Sequence, residues 1–473
     1  MSALRGKLSR DKTIDVLLVI AIIISASLIV VPHLLPKPPP ETTLHILTTY
    51  DVPILSEIEN SFLASSYAED NNIVDIEWFT TDQSTWNALI ESNAIDLILA
   101  PREIVDAYRT AGQLRPISRD IIHEINESIA GVPMKGYVEQ QIVWCSYAMR
   151  VTVFELLVNT TLLQEYGLAI PETVEELLSP LYHPDGYNSS LIGMDYPESF
   201  SVGYHFRNFI TVALGWENGI QNLTILYANS NLYDRDGDAL EALLDGEIGI
   251  TLTMFDGQPW DSLPETISRV HLENMIVVDP CVVAIANGIH LESQSEEFIE
   301  YLLSPEGQAI WLDNDSGFLP ASRKAFDIII ADASIYSEFN WIANSEGVGV
   351  ASSYASEDIA LGIYMDTTSL LPHTNLSNCW QNTYRAYENG SITEIQFNYF
   401  KENLGKPLTI VGPISHVDER FTKEYAQRIL PELYNDDFAV ELTYRWLLFG
   451  RGQSTTDYSP DGRHYIHKDL PID

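Results

Sequence analysis

The stretch LHILTTYDVPILSEIENSF, residues 44–62, decides the fold class. Its first six residues, LHILTT, form a short and largely apolar segment that predicts a β-strand. From Ile54 onward, apolar residues recur at helical spacing and predict a helix. A strand followed directly by a helix is the first part of a βαβ unit, the building block of parallel α/β sheets.

The same order recurs twice in the next forty residues. VDIEWF at 74–79 and IDLIL at 95–99 predict two further strands, and the segment between them predicts a loop and a helix. Parallel α/β sheets bind ligands at the carboxyl ends of their strands. We therefore expect ligand contacts at residues 49–51, 80–82 and 101–102.

A second α/β region follows the first. Two apolar stretches between residues 141 and 158 predict strands that leave the first lobe, and MIVVDPCVVAIA at 275–286 predicts a strand that returns to it. We expect a first lobe over 44–145 and 281–324, a second lobe over 146–280, and a helical C-terminal extension over 325–473.

Composition and missing motifs exclude several classes of function. The chain has 473 residues, and 45% of them are hydrophobic, which is enough for a buried core. Its length is more than one small domain needs. Its formal net charge of -41 repels nucleic acid, so we expect no nucleic-acid partner. The sequence has no GxSxG, HExxH, P-loop or GxGxxG context, so we expect neither an enzyme reaction nor a cofactor. An extracellular hydrolase that uses two carboxylates stays an alternative.

The N-terminus indicates a retained membrane anchor, with a cleaved signal peptide as the alternative. Residues 1–13 are basic, and residues 14–35 are nearly all apolar and about as long as the ~20 residues that span a bilayer. Basic residues before the span place the N-terminus in the cytoplasm and the main domain outside the cell. The proline-rich segment 36–43 is a stiff spacer. An external, glycosylated surface is also indicated by sequons at Asn126, Asn159, Asn188, Asn222, Asn314, Asn375 and Asn389, although incidental surface asparagines are the alternative.

Four stretches together resemble one family. They are the opening stretch, FELLVNTTLLQEYGLAIPETVEELLSPLY at 154–182, DYPESFSVGYHF at 195–206 with DGEIGITLT downstream, and EFIEYLLSPEGQAIWLDNDSGFLPASR at 297–323. In this order they resemble extracellular solute-binding proteins of ABC importers, in the branch with ferric-iron and thiamine binders. The resemblance covers residues 44–324.

The resemblance implies both a fold and a role. The fold would be α/β, a two-lobed periplasmic-binding-protein-like fold, here with an N-terminal transmembrane helix and a helical C-terminal extension. The role would be to capture a small solute between two hinged lobes and deliver it to an ABC permease driven by a cytoplasmic ATPase. An anchored sensor or adhesion ectodomain that reuses the fold is the alternative.

The stretch at 297–323 would close the first lobe. Ser304 is placed to cap a helix that has Pro305 at its first position. Phe298, Tyr301 and Leu302 would pack into the lobe, and the turn GFLP would return the chain to the edge of the cleft.

Candidate ligand-binding residues lie at the predicted strand and helix ends. They are Thr49, Tyr50, Asp51, Arg102, Trp144, Tyr147, Ser199, Ser201, Tyr204 and Asp279. Ser199 and Ser201 precede a helix whose free N–H groups suit an oxyanion, although ordinary N-capping explains them as well. Separated tyrosines with Asp51 or His205 offer oxygen and nitrogen ligands to Fe(III), although core or rim tyrosines are the alternative.

Two further features each have two interpretations. The resemblance implies that Cys145 and Cys281 lie in neighbouring crossover strands, where they form either a disulfide or two buried thiols. Residues 234–238 resemble part of a calcium loop, but the glycine is misplaced and a helix start explains them equally.

Overall fold

The computed structural model describes residues 41–454 apart from 51, 119–121, 123–124, 185–188, 199–200, 256–262, 289–290, 313–316, 329–332 and 348–356. The predicted anchor at 14–35 and the predicted site residues Asp51 and Ser199 lie outside the described residues.

The described chain alternates strands and helices through both lobes and continues as helices with one short pair of antiparallel strands. The strands are β1 Thr42–Thr48, β2 Ile73–Phe79, β3 Leu97–Pro101, β4 Leu114–Arg115, β5 Ser128–Ile129, β6 Val132–Pro133, β7 Lys135–Val138, β8 Gln141–Asn159, β9 Ile192–Asp195, β10 Asn231–Tyr233, β11 Ile250–Phe255, β12 Ile267–Ala286, β13 Phe318–Pro320, β14 Thr409–Val411 and β15 Asp418–Arg420. The α-helices are α1 Val52–Leu63, α2 Ser66–Asp70, α3 Trp86–Glu91, α4 Arg102–Thr110, α5 Thr160–Glu165, α6 Val174–Leu177, α7 Val202–Ala213, α8 Trp216–Ala228, α9 Asp238–Leu244, α10 Glu292–Leu303, α11 Pro305–Ala309, α12 Ala333–Asn344, α13 Asp358–Met365, α14 His373–Glu388, α15 Glu394–Leu404, α16 Lys423–Ile429 and α17 Asp436–Ser454. Short 3₁₀ turns occupy Gln83–Thr85, Pro180–Tyr182, Ile310–Leu312, Arg323–Asp327 and Leu430–Tyr434, and a π-helical turn, Asp366–Leu370, continues α13.

The predicted parallel strands of the first lobe are confirmed. β1 pairs in parallel with β2 on one side and with β3 on the other. Leu44, Ile46 and Leu47 of β1 are fully buried, because helices cover the faces of a parallel sheet. The carboxyl ends of β1 and β3 therefore meet at one edge, where Tyr50 and Arg102 follow them.

Two long strands join the lobes. β8 has 19 residues and β12 has 20, and they pair antiparallel from Asn159 opposite Ile267 to Trp144 opposite Ala284. The order β10-β9-β11-β8-β12-β3-β1-β2 makes them the centre of one sheet, with lobe-two strands on one side and lobe-one strands on the other. These strands carry the connection about which two lobes of this kind hinge.

The C-terminal extension is built into the second lobe. Trp380, Phe421 and Trp446 are fully buried in the same core as Phe154 of β8 and Phe206 of α7. Helix α12 instead packs Phe339 and Ile342 into the hydrophobic core of the first lobe. The sequence predicted only helical material here, because which face meets which lobe depends on contacts between distant residues.

The predicted end of the first lobe is confirmed in its packing. Phe298, Tyr301 and Leu302 of α10 lie in the first core, and β13 pairs with β8. Ser304 Oγ accepts a hydrogen bond from Gly307 N at 3.1 Å, so it caps α11 as predicted. Gln308 adds a contact that the sequence did not reveal, because its Nε2 donates to Tyr147 O at 2.6 Å and its Oε1 accepts from Ser322 N at 2.9 Å.

Replacing Ser304 with alanine should lower the free energy of unfolding by about 1–2 kcal/mol, because the first turn of α11 loses its cap. Ser65→Ala is a matched control. Ser65 is also the N-cap residue of a short helix and donates to a carbonyl three residues back, yet its side chain makes no cap bond. Urea unfolding of both variants checks the prediction, and equal losses would contradict it.

The two cysteines, the calcium-loop-like segment and one sequon have structural explanations. Cys145 and Cys281 are free, buried thiols, and burial raises the pKa of each to about 12. Residues 234–238 lead into the start of α9, where the Asp195 carboxylate accepts from Gly237 N and Ala239 N at 2.9 and 2.8 Å. The Asn159 side chain caps α5. Among the described helices, none has the length and apolar character needed to span a bilayer.

Candidate functional site

A polar cluster lies where β1 ends against the interlobe strands. We call it the hinge-edge cluster: Tyr50 after β1, Tyr147 on β8, and Asp279 and Cys281 on β12. Interaction of Tyr50 with Tyr147 and Cys281 places the three side chains together. The β8–β12 register sets Asp279 opposite Arg150.

The two tyrosines of the cluster are neutral phenols. The Tyr50 hydroxyl oxygen is buried and has no hydrogen-bond partner at good geometry among the described residues, although it lies beside Cys281. Burial raises the pKa of both Tyr50 and Tyr147 well above the ordinary value. Tyr50 also packs edge-on against Phe318, with ring centroids 5.9 Å apart. The Tyr50 hydroxyl oxygen thus has no well-directed hydrogen bond within the described part of the chain.

Asp279 supplies the carboxyl group of this cluster, and its pKa is strongly raised. Burial, together with repulsion from Glu103, raises its pKa from 3.8 to about 7, and Arg150 and Arg102 partly offset this rise. Its Oδ1 atom is buried and accepts no hydrogen bond from any described residue. A buried carboxylate without a donor is costly, and perturbed groups of this kind concentrate at functional sites.

Two arginines flank the cluster. Arg102 begins α4 at the end of β3 and pairs with Glu103, Nη2 to Oε1 at 3.4 Å. Arg150 is exposed, and its guanidinium carbon lies 4.9 Å from the centroid of the Phe318 ring. The cluster therefore presents an acidic group, two phenols and two guanidinium groups within one region at the junction of the lobes.

The predicted site residues of the second lobe make other contacts. Ser201 Oγ accepts from Tyr204 N at 3.2 Å and donates to Glu198 O at 2.8 Å, so it acts as an ordinary N-cap of α7. The Tyr204 hydroxyl donates to Asp358 of α13. Arg207 holds the same carboxylate, with Nη2 3.3 Å from Oδ1.

The remaining predicted residues fall into different environments. Trp144 is buried in the first core, and its Nε1 donates to Asp106 Oδ1 at 2.8 Å. Thr49 is exposed at the end of β1, beside Tyr50. Burial lowers the pKa of His205, and its ring packs edge-on against Tyr204 rather than in the hinge-edge cluster.

A separate cavity of about 420 Å³ opens in the second lobe between α14 and residues 180–184. Its lining includes His183, Gln381, Arg385 and Glu388 and none of the predicted site residues. Burial lowers the pKa of His183 to about 4. Because α14 forms one wall, this cavity belongs to the extension and not to the junction of the lobes.

Sequence reasoning missed Arg150 and Phe318. Arg150 was visible as one cation inside the apolar stretch from Ile142 to Val158, which signals a side chain that leaves the core at that position. Phe318 lay within the quoted turn GFLP, but its contacts with Tyr50 and Arg150 depend on the pairing of β13 with β8.

A family model described as bacterial extracellular solute-binding protein matches residues 63–336. The chain belongs to the bacterial extracellular solute-binding protein family. Members of this family bind small solutes or ions and work with ABC permeases. The ferric-iron and thiamine branch, expected from the sequence, is a finer assignment than this match supports.

Solved structures of solute-binding proteins are similar to this family member at low identity. Iron-bound HitA from Pseudomonas aeruginosa is 16% identical, with 68% of this chain and 98% of that chain covered and a TM-score of 0.39. A Bordetella ferric binding protein is 13% identical, with 68% and 97% covered and a TM-score of 0.45. The spermidine/putrescine-binding PotD from Streptococcus pneumoniae, in complex with calcium and HEPES, is 13% identical, with 71% and 100% covered and a TM-score of 0.43. No curated protein matches the chain.

Proposed function

We propose that this protein is a membrane-anchored extracellular receptor that captures a small solute at the hinge-edge cluster as its lobes close. The predicted anchor at 14–35 and spacer at 36–43 would hold the receptor outside the cell. An ABC permease in the same membrane would accept the solute, and a cytoplasmic ATPase would drive its import.

The buried Oδ1 atom of Asp279 carries this proposal. With a pKa of about 7, Asp279 is partly ionised at neutral pH and has no donor for Oδ1 among the described residues. A solute with a protonated amine or another cationic group would supply that donor, and hydrogen bonds to charged groups contribute about 1.5–3 kcal/mol. The Tyr50 hydroxyl would satisfy a second polar group of the same solute.

The flanking arginines define the rest of the solute. Arg102 and Arg150 favour a carboxylate or other oxyanion, so a zwitterion fits the cluster better than a simple cation or anion. Thr49 and Tyr147 at the same edge stay in the proposed site, and Asp51 and Ser199 stay candidates from the sequence alone. Trp144, Ser201 and Tyr204 leave it, because Asp106, the α7 cap and Asp358 already use their polar atoms.

Isothermal titration of the full-length chain with amino acids, polyamines, ferric complexes and oxyanions tests this proposal. We expect one class to bind with 1:1 stoichiometry, and Asp279→Asn to weaken that binding by about 10- to 100-fold. Tyr204→Phe is the control, since it removes a hydroxyl that donates to Asp358 and lies outside the hinge-edge cluster. Loss of binding in the control but not in Asp279→Asn would contradict the proposed site.

A further inference from the structure

A second cluster of ionisable groups lies on the lobe-two half of the interlobe strands, under α12. Glu155 on β8 stands opposite His271 on β12 in the antiparallel register, so both side chains share one face of the sheet. Glu338 reaches this face from α12. One ligand atom from each of the three residues lies within 4.8 Å of the others.

The three residues carry buried polar atoms that lack hydrogen bonds. Glu155 is fully buried, and its Oε2 has no partner among the described residues. His271 Nδ1 and Glu338 Oε1 are likewise buried without a well-directed hydrogen bond in the described part of the chain. Native proteins rarely leave several such atoms in one place unless a water or an ion satisfies them.

Charge in the cluster is unbalanced. Arg269 pairs with both carboxylates, Nη2 to Glu155 Oε1 at 2.7 Å and to Glu338 Oε2 at 2.9 Å. When both carboxyl groups are ionised, the one guanidinium group leaves one negative charge uncompensated. A buried charge of this kind needs a proton or a cation to balance it.

The distances suit a cation. His271 Nδ1 lies 3.0 Å from Glu155 Oε1 and 3.8 Å from Glu338 Oε1. Bonds of about 2.0–2.2 Å to one tetrahedral metal ion place neighbouring ligand atoms roughly 3.3–3.6 Å apart. We infer that Glu155, His271 and Glu338 form a binding site for a divalent transition-metal ion of the zinc type, which fastens α12 to both interlobe strands.

The chemistry of the ligands selects this metal class. One imidazole nitrogen and two carboxylate oxygens match three-ligand zinc sites that keep a fourth position for water. Calcium needs six to eight oxygen ligands, which three residues do not provide. Arg269 then acts from outside the coordination shell, holding both carboxylates, and the Trp341 ring lies against His271 with centroids 3.8 Å apart and fixes the imidazole.

A second histidine near two carboxylates serves as a contrast. His45 Nδ1 lies 3.2 Å from Asp96 and its Nε2 lies 3.5 Å from Glu77, with 59% of the Glu77 side chain exposed. The two carboxylates therefore contact opposite edges of the His45 ring, so one ion cannot bind both together with a single ring nitrogen.

The test is isothermal titration of Zn²⁺ into full-length protein that a chelator has stripped of metal. We expect saturable 1:1 binding that Mg²⁺ and Ca²⁺ do not compete away. His271→Gln and Glu338→Gln should each weaken it by at least about tenfold, since even outer-shell partners of metals contribute 10- to 100-fold. His45→Ala, the matched control, should bind as the wild type does. Glu338 is partly exposed, so its variant keeps the test valid if His271→Gln fails to fold.

Two outcomes would overturn the inference. One is the absence of saturable Zn²⁺ uptake by the wild type, which would leave a proton as the balancing charge. The other is wild-type affinity in folded Glu338→Gln. Asp279→Asn should leave Zn²⁺ binding unchanged, so failure of the solute-binding proposal and failure of this one are distinguishable.

Discussion

Asp279→Asn should raise the free energy of unfolding of the ligand-free protein at pH 8 by up to about 4 kcal/mol. The wild-type carboxyl group has a pKa of about 7 in the folded chain against an ordinary value of 3.8. Each unit of difference corresponds to about 1.4 kcal/mol. Asparagine has similar shape and no charge to desolvate, so it removes this cost.

The sign of the pH dependence follows from the same difference. The folded state holds the Asp279 proton more tightly than the unfolded state does, so this group favours folding most at low pH. Its contribution is lost as the pH rises from about 4 through about 7, and it is constant above that. The stability gap between Asp279→Asn and the wild type should therefore widen across this window.

Urea unfolding of both proteins at pH 5 and pH 8 measures the gap. Asp75→Asn, which alters an exposed aspartate of β2, separates the effect of a buried charge from that of one fewer acidic group. A stability gap that is equal at both pH values would show that folding does not raise the pKa of Asp279.

Trp446→Ala should destabilise the protein by about 3–5 kcal/mol, the usual cost of removing a large buried aromatic side chain. Trp446 is fully buried, and its ring packs edge-on against Tyr364 and Phe421 with centroid distances of 5.2 Å to each. Because these residues share a core with Phe154 and Phe206, the loss should extend to the second lobe.

Tyr444→Ala on the same helix is the matched control. Tyr444 is 56% exposed and should cost no more than about 0.5 kcal/mol. Hydrogen exchange of β9 and α7 should increase in Trp446→Ala, because the extension and the second lobe form one core. Unchanged exchange there, with loss confined to residues 358–446, would mean that the extension folds as a unit of its own.

The first lobe could be predicted closely because its signals are local. LHILTT, VDIEWF and IDLIL each correspond to a strand, with shifts of one or two residues at their ends. The cap at Ser304 was equally readable, since a cap depends on residues three positions apart.

The candidate site was only partly predictable. Tyr50 and Asp279 were both selected from strand positions, but their shared burial depends on the register between distant strands. Tyr204 was assigned to the ligand because its helix begins at the cleft, whereas Asp358, more than 150 residues later, accepts its hydrogen bond. No local sequence pattern predicts that a residue of the C-terminal extension will accept this hydrogen bond.

Glu155 and His271 show the same limit. Glu155 is one polar residue within an apolar stretch, His271 lies in a mixed stretch with other polar residues, and separately each is compatible with a solvated edge. Only the β8–β12 register and the packing of α12 bring Glu338 to them.

Native mass spectrometry of the full-length protein, purified without stripping, tests the central claim most directly. We predict a bound small solute whose re-addition to emptied protein raises the melting temperature of the wild type, since a ligand selective for the folded state must stabilise it. The same solute should raise the melting temperature of Asp279→Asn clearly less, because that variant binds it about 10- to 100-fold more weakly. An empty protein that responds to no amine, zwitterion, metal complex or oxyanion would contradict the account and favour an anchored sensor or adhesion ectodomain.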